Sequence, residues 1–163
     1  MKKRITLSAG NIFEFSMYHT YFTIYGFISI IISLVALVGA IYSIGKTEIV
    51  NTLLLFVVEL MFTVIQPVMI YLKSKAQARR NRSIGTYLEY TFTDDGFEIT
   101  DGKESDTVIW PSILKISTTK NLVLLYTTHM RAFIIPKDSF SDCYEEFKNL
   151  INKNAKNARG SIK

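Results

Sequence analysis

Side chains suited to catalysis are few in this chain, and their spacing does not group them. There are two histidines, His19 and His129, and one cysteine, Cys143. A zinc site draws three or four ligands from Cys, His and carboxylates, usually at short characteristic spacings, and nothing of that kind surrounds either histidine. His19 reads as an interfacial polar group. His129, beside Met130 and Arg131, reads as a solvated residue at a hairpin tip. Cys143 with His129 is the nearest approach to a nucleophile and base, yet the two fall on different expected elements with no signature between them, so Cys143 reads as a packing residue. The glycines are scattered singly, and Asp94-Asp95-Gly96 is turn chemistry before it is a carboxylate pair. Lys137 follows Pro136 and reads as a snorkelling side chain at a domain rim, with headgroup contact as the alternative; a phosphate site would bring several basic groups together with backbone donors. No catalytic residue, cofactor or metal is expected, and the chain reads as non-enzymatic.

Glu59 is the exception that calls for an account. No Asp, Glu, Lys or Arg lies between Glu14 and Lys46, and between Glu48 and Lys73 there is only Glu59. Each stretch is long enough for the roughly 20 helical residues that cross a bilayer. Two transmembrane helices are therefore expected, about 20–45 and 49–72, with Glu59 inside the second. A cleaved signal peptide is the rival reading of the first, but the run is too long for a signal core and stands too far from Lys2, Lys3 and Arg4. An ionised carboxylate at that depth is costly, so Glu59 is expected to be neutral, hydrogen-bonded to a hydroxyl, or facing water.

The two spans suggest how that residue is housed. Gly26, Ser29, Ser33, Ala36, Ala40 and Ser43 recur at steps of three and four, which puts small residues on one face. Thr52, Glu59, Thr63 and Gln66 share a face of the second span. In an antiparallel pair Ala36 falls level with Glu59, Ser33 with Thr63 and Ser29 with Gln66, making an intramembrane polar contact within one hairpin or between copies. Pro67 removes a donor and should kink the helix, with Thr63 and Gln66 compensating. Ahead of the spans, residues 3–8 have the alternation of a strand. Residues 10–22 read as an aromatic interfacial helix, capped by Asn11 with Glu14 and running into the first span.

Charge sets the orientation. Lys73, Lys75, Arg79, Arg80 and Arg82 follow the second span, and Lys2, Lys3 and Arg4 precede the first; the positive-inside rule puts both ends in the cytoplasm. This collar reads as contact with membrane lipid headgroups. From Ser83 onward ten Lys and Arg stand against eleven Asp and Glu, a balance that argues against nucleic acid.

Five parts are thus expected: 1–19, a strand and interfacial helix; 20–72, the transmembrane hairpin; 73–84, a basic juxtamembrane helix; 85–153, a cytoplasmic domain; and 154–163, a basic tail without structure. Within the domain, six strand-like runs between residues 86 and 137 are separated by Asp94-Asp95-Gly96, Asp101-Gly102 and Lys120-Asn121, the residues of tight antiparallel turns. The core faces are read as Ile113 and Ile116, then Leu122, Leu124 and Tyr126, then Ala132, Ile134 and Pro136. An amphipathic helix follows, with Ser141 at its cap and Phe140, Tyr144, Phe147 and Ile151 on one face. The fold class is α+β: a two-helix membrane hairpin, then a small antiparallel pleckstrin-homology-like (PH-like) barrel closed by a C-terminal helix.

Four local words stand in order: "TFTDDGFEI" at 91–99, Trp110 before "ILKI", "LLY" at 124–126 and "FIIPKDSF" at 133–140. After two apolar spans they resemble the YcxB-like family of bacterial membrane proteins. The resemblance implies the hairpin-plus-domain layout in a bacterial cell membrane and no activity. The expected function is a non-enzymatic membrane-anchored interaction module that binds a protein partner or itself. The alternatives are a small accessory subunit of a transporter or channel using Glu59, and a lipid-headgroup binder.

Overall fold

The computed structural model describes residues 1–81 and 84–162. The chain forms two compact units, Met1–Phe15 with Gln77–Lys163, and Ser16–Ala76.

The first unit is a two-layer antiparallel structure. Its first sheet has the order β1 (Lys2–Thr6), β2 (Tyr87–Phe92), β3 (Gly96–Thr100), β4 (Ser105–Ile109); its second is β5 (Lys115–Thr118), β6 (Leu122–Tyr126), β7 (Ala132–Pro136). All six expected runs are strands, and the seventh, at the N-terminus, pairs with β2 from Lys2↔Thr91 to Thr6↔Tyr87. The turns fall where Asp and Gly predict. Thr93 N–H donates to the Gly96 carbonyl, and Gly102 takes φ +89°, a conformation that suits glycine. Gly96 is also fixed by space, because a Cβ there would stand 2.1 Å from the Val108 carbonyl oxygen.

The expected closed barrel is not formed. Among the described residues no ladder joins the two sheets. Between β4 and β5 the chain makes a 3-10 turn at Trp110–Ser112, and Pro111 within it has no N–H for a ladder, so the chain changes layer there. Trp110 is buried and its indole Nε1 donates to the Thr93 carbonyl at 3.0 Å.

Between the layers lies an aromatic core. Phe92, Phe97, Trp110, Phe140 and Phe147 are buried, with Phe140 stacked on Phe147 at 3.9 Å and Phe97 edge-on to Phe133 at 5.2 Å. The faces of β6 and β7 differ from the expectation. Val123, Leu125 and Ile135 belong to this core, while Leu122, Leu124 and Tyr126 are buried outside it, and Ala132 and Ile134 are half-exposed. The cause is α1 (Ala9–Tyr21), which brings Phe15 to 6.4 Å from the Tyr126 ring and leaves β6 covered on both sides. A strand buried on both faces has no alternation to read.

Two helix caps also fall elsewhere. Helix α1 is capped by Ser8: Ser8 Oγ accepts from Asn11 N–H, and Asn11 Oδ1 accepts from Ser8 N–H, a reciprocal box one turn earlier than expected. The C-terminal helix α5 (Tyr144–Asn154) begins after a 3-10 turn, Lys137–Phe140, with Cys143 at the cap position rather than Ser141. Its face is as expected, with Phe140, Phe147 and Ile151 buried and Tyr144 half-buried.

The tail expected to lack structure is ordered as far as Ile162, and Lys163 lies outside the described residues. Ile116 N–H donates to the Arg159 carbonyl and Arg159 N–H to that of Leu114, so the tail covers the edge of β5, and both backbone groups of Ile162 bond the Asn152 side chain at 2.9 Å. An open strand edge supplies the unpaired groups that hold it.

The second unit contains α2 (Ile24–Ser43) and α3 (Ile49–Leu60), packed as an antiparallel pair with Gly39 against Leu55. A π-helical turn (Met61–Ile65) joins α3 to α4 (Gln66–Arg80), so the second long helix runs 32 residues, Ile49–Arg80. Both long helices have the length and apolar composition to cross a membrane. The expected continuous run from α1 into the first span is broken: Thr23 caps α2, accepting from Gly26 N–H and donating to the Thr20 carbonyl. A Cβ on Gly26 would lie 2.0 Å from that carbonyl oxygen, so only glycine fits the turn.

Ile5 is fully buried, and β1 is further tied by Lys3, whose Nζ meets both Asp142 oxygens at 2.6 and 2.7 Å. Ile5→Ala is expected to cost about 2–5 kcal/mol. A thermal melt of the purified full chain checks this, against a change under about 1 kcal/mol for Lys2→Ala, whose partner Glu89 forms an exposed pair.

Candidate functional site

The small-residue stripe of α2 is its buried face: Gly26, Ser33, Ala36 and Ala40 are buried and Ser29 is half-buried. On the second long helix Glu59 and Gln66 are half-buried, whereas Thr63 is exposed. The π turn accounts for Thr63. Pro67 has no N–H, Gln66 N–H reaches back to the Met61 carbonyl, and the residue accommodated in the wide turn rotates Thr63 off the shared face. The hydroxyls of Ser29 and Thr63 bond to backbone carbonyls. Thr63 Oγ1 donates to the Glu59 backbone carbonyl at 2.9 Å, and Ser29 Oγ donates to that of Tyr25 at 2.9 Å. Each closes a bond on its own helix.

Lys73, Lys75, Arg79 and Arg80 are exposed along α4, with Lys75 Nζ 5.9 Å from the Tyr71 ring. Arg82 lies outside the described residues. Lys137 is half-buried beside the β5–β6 turn. Its Nζ donates to the carbonyls of Thr119 at 2.6 Å and Lys120 at 3.3 Å.

Those carbonyls belong to a network that the sequence did not suggest. Glu14, on α1, accepts from Thr119 Oγ1 at 2.5 Å, from Asn121 N–H at 3.0 Å and from Asn121 Nδ2 at 2.9 Å. Its carboxylate is therefore a plug in the β5–β6 turn. Partial burial pushes the Glu14 pKa up, but the bonds from Thr119 and Asn121, with the Lys137 charge nearby, outweigh burial and hold it below the ordinary carboxylate range. Assigning Glu14 to a capping box with Asn11 hid this role; Ser8, an equally good cap with Asn11 three residues on, was the available signal.

A cleft of about 430 Å³ opens at one end of the two-sheet unit. Apolar residues from β2, β3 and β7 line it together with Asp101, Glu104 and Asp106 around the β3–β4 turn. His129 is exposed at the β6–β7 turn, and Cys143 is half-buried against the core. Among the described residues no three His, Cys, Asp or Glu side chains gather as metal ligands would.

A family model described as YcxB-like protein matches residues 92–151. This part of the chain is similar to the YcxB-like family. It is similar to the uncharacterized protein YcxB of Bacillus subtilis (strain 168), 25% identical over 115 residues, which cover 69% of this chain and 62% of that protein. The alignment thus spans less than two thirds of the relative's length. No solved structure matches. The YcxB-like match runs from the end of β2 into α5, through the aromatic core. Phe97, Trp110, Leu125, Ile135 and Phe140, which fall in the four words that suggested the family, are all buried core residues. Those words specify packing.

Glu14→Gln is expected to lower stability at neutral pH by about 1 kcal/mol, since solvent screens a half-exposed carboxylate. Because the folded-state pKa lies below the unfolded value, this stabilisation is present above the unfolded value and is lost as pH falls through the folded one. Melting the wild type and Glu14→Gln from pH 7 downward should show the difference between them shrinking to nothing in acid.

Proposed function

We propose that this YcxB-like protein is a two-pass, non-enzymatic membrane protein whose two-sheet unit is a PH-like interaction module at the cytoplasmic face, where it binds a protein partner or another copy of itself. The observation that carries the reading is the insertion of the long apolar helix pair between two hydrogen-bonded strands, β1 and β2, of one folded unit. Thr6 and Tyr87 are ladder partners, so the intervening helices leave and return at one place. An even number of crossings satisfies that requirement, and so does the Lys and Arg excess on both flanks. Outward-facing Ile, Leu, Val and Phe side chains along α2 and α3 would be a large unsatisfied apolar surface in water and are ordinary in lipid. The strand order, four then three, followed by a helix, is the order of parts of a PH-like domain, with the hairpin in its first connection. Lys73, Lys75, Arg79 and Arg80 then lie against anionic headgroups.

A second reading has an observation of its own. Glu59 stands two residues before the π turn of an apolar helix, and such turns recur at functional positions. In that reading the hairpin is an accessory subunit of a transporter or channel assembly, and Glu59 with Gln66 makes the working contact.

Crosslinked pull-down from native membranes distinguishes them. The interaction-module reading predicts that the full chain and Glu59→Gln recover the same partner to within about twofold, and that deleting residues 86–163 abolishes recovery. Recovery that survives the deletion and falls about tenfold or more with Glu59→Gln would place the function in the membrane.

A further inference from the structure

We propose that the cleft at the open end of the sheets is a docking groove for an extended peptide of a partner protein, basic in charge and carrying a large apolar side chain, that adds to the outer edge of β7. The proposal rests on the interaction-module reading and names what the module takes.

Charge supplies the first argument. The charged side chains lining the cleft are Asp101, Glu104 and Asp106, with no lysine or arginine among the described lining residues. Asp101 spends Oδ1 on the backbone N–H groups of Lys103 and Glu104. Glu104 and Asp106 are exposed, and neither enters a salt bridge among the described residues. A phosphate or an anionic headgroup would meet like charge here, whereas a lysine or arginine would meet its complement. The floor supplies the second. Leu88, Tyr90, Ile99 and Phe133 give an apolar surface beside that rim, the pairing of pocket and charge that fixes a side chain and its neighbour.

The third argument comes from the register of β7. It is the end strand of its sheet, paired to β6 as Leu124↔Ile134 and Tyr126↔Ala132. Thr127 N–H donates to the Arg131 carbonyl and Lys137 N–H to that of Asn121, which sets the odd-numbered residues of β7 as those bonded to β6. The N–H and C=O groups of Ala132 and Ile134 therefore point to the free edge, and both residues line the cleft. Pro136 offers no donor, so the edge stops after these two residues. Strand addition uses such an edge for affinity and neighbouring pockets for specificity.

The test uses the purified full chain in detergent against an array of octapeptides, with selected peptides measured by fluorescence anisotropy. Enrichment of peptides combining Lys or Arg with a large apolar residue is expected. For these, Glu104→Gln with Asp106→Asn should raise Kd about threefold to tenfold. Ala132→Pro removes an outward N–H without touching the β6 ladder and should weaken binding by a similar factor. Thermal melts of both variants establish that they remain folded. Enrichment of acidic peptides, absence of any enrichment, or binding that both variants leave unchanged would overturn the groove. The interaction-module reading would survive those results if the native-membrane pull-down still required residues 86–163, so the two can fail separately.

Discussion

The ladder between β1 and β2 joins Met1 to Phe92, 91 positions away, and everything else in the molecule is arranged around that closure. Neighbouring strands lie about 4.8 Å apart, so a chain that departs after Thr6 has to come back within that distance by Tyr87. Two long helices joined by a short turn meet the requirement, and closing so long a segment costs only slightly more entropy than closing a short one. Ile5 in the core and Lys3 on Asp142 offset that cost from the same strand.

The rest of the two-sheet unit is given over largely to packing. Its interior is filled by phenylalanine and tryptophan rings packed edge and face, an arrangement that takes volume rather than polar groups. Polar side chains that do point inward are spent on structure. Glu14 and Lys137 approach the β5–β6 turn and satisfy its donors and acceptors between them. The outer edge of β7, the end strand of its sheet, stays open beside the acidic rim.

Much of this was legible in the residues. Asp-Gly and Lys-Asn turns marked the hairpins, because glycine and short polar side chains accept conformations that others resist. Small residues at helical spacing marked the packed face of α2. Three features resisted reading, each for a physical reason. The alternation of β6 was ambiguous because α1 covers its second face. Thr63 left its expected face because one π turn shifts the angular phase of everything around it, which no count of residues foresees. The tail looked unstructured by composition, yet it is held by the edge of β5, a tertiary partner that composition cannot show. The candidate site divides the same way. Glu59 was visible as a lone acid among apolar residues, while the Glu14 network and the cleft depend on elements more than a hundred positions apart.

The central claim, that one folded unit is built from both sides of the apolar helix pair, is tested most directly by trapping β1 against β2. With Cys143 replaced by serine, Thr6→Cys and Tyr87→Cys place thiols on ladder partners, and a protease site between Lys46 and Glu48 allows the chain to be cut between the two long helices. After mild oxidation in native membranes and cleavage, the account predicts that the two fragments stay joined until a reductant is added. Fragments that separate without reductant would mean that β1 is not part of the sheet, and the account would be wrong.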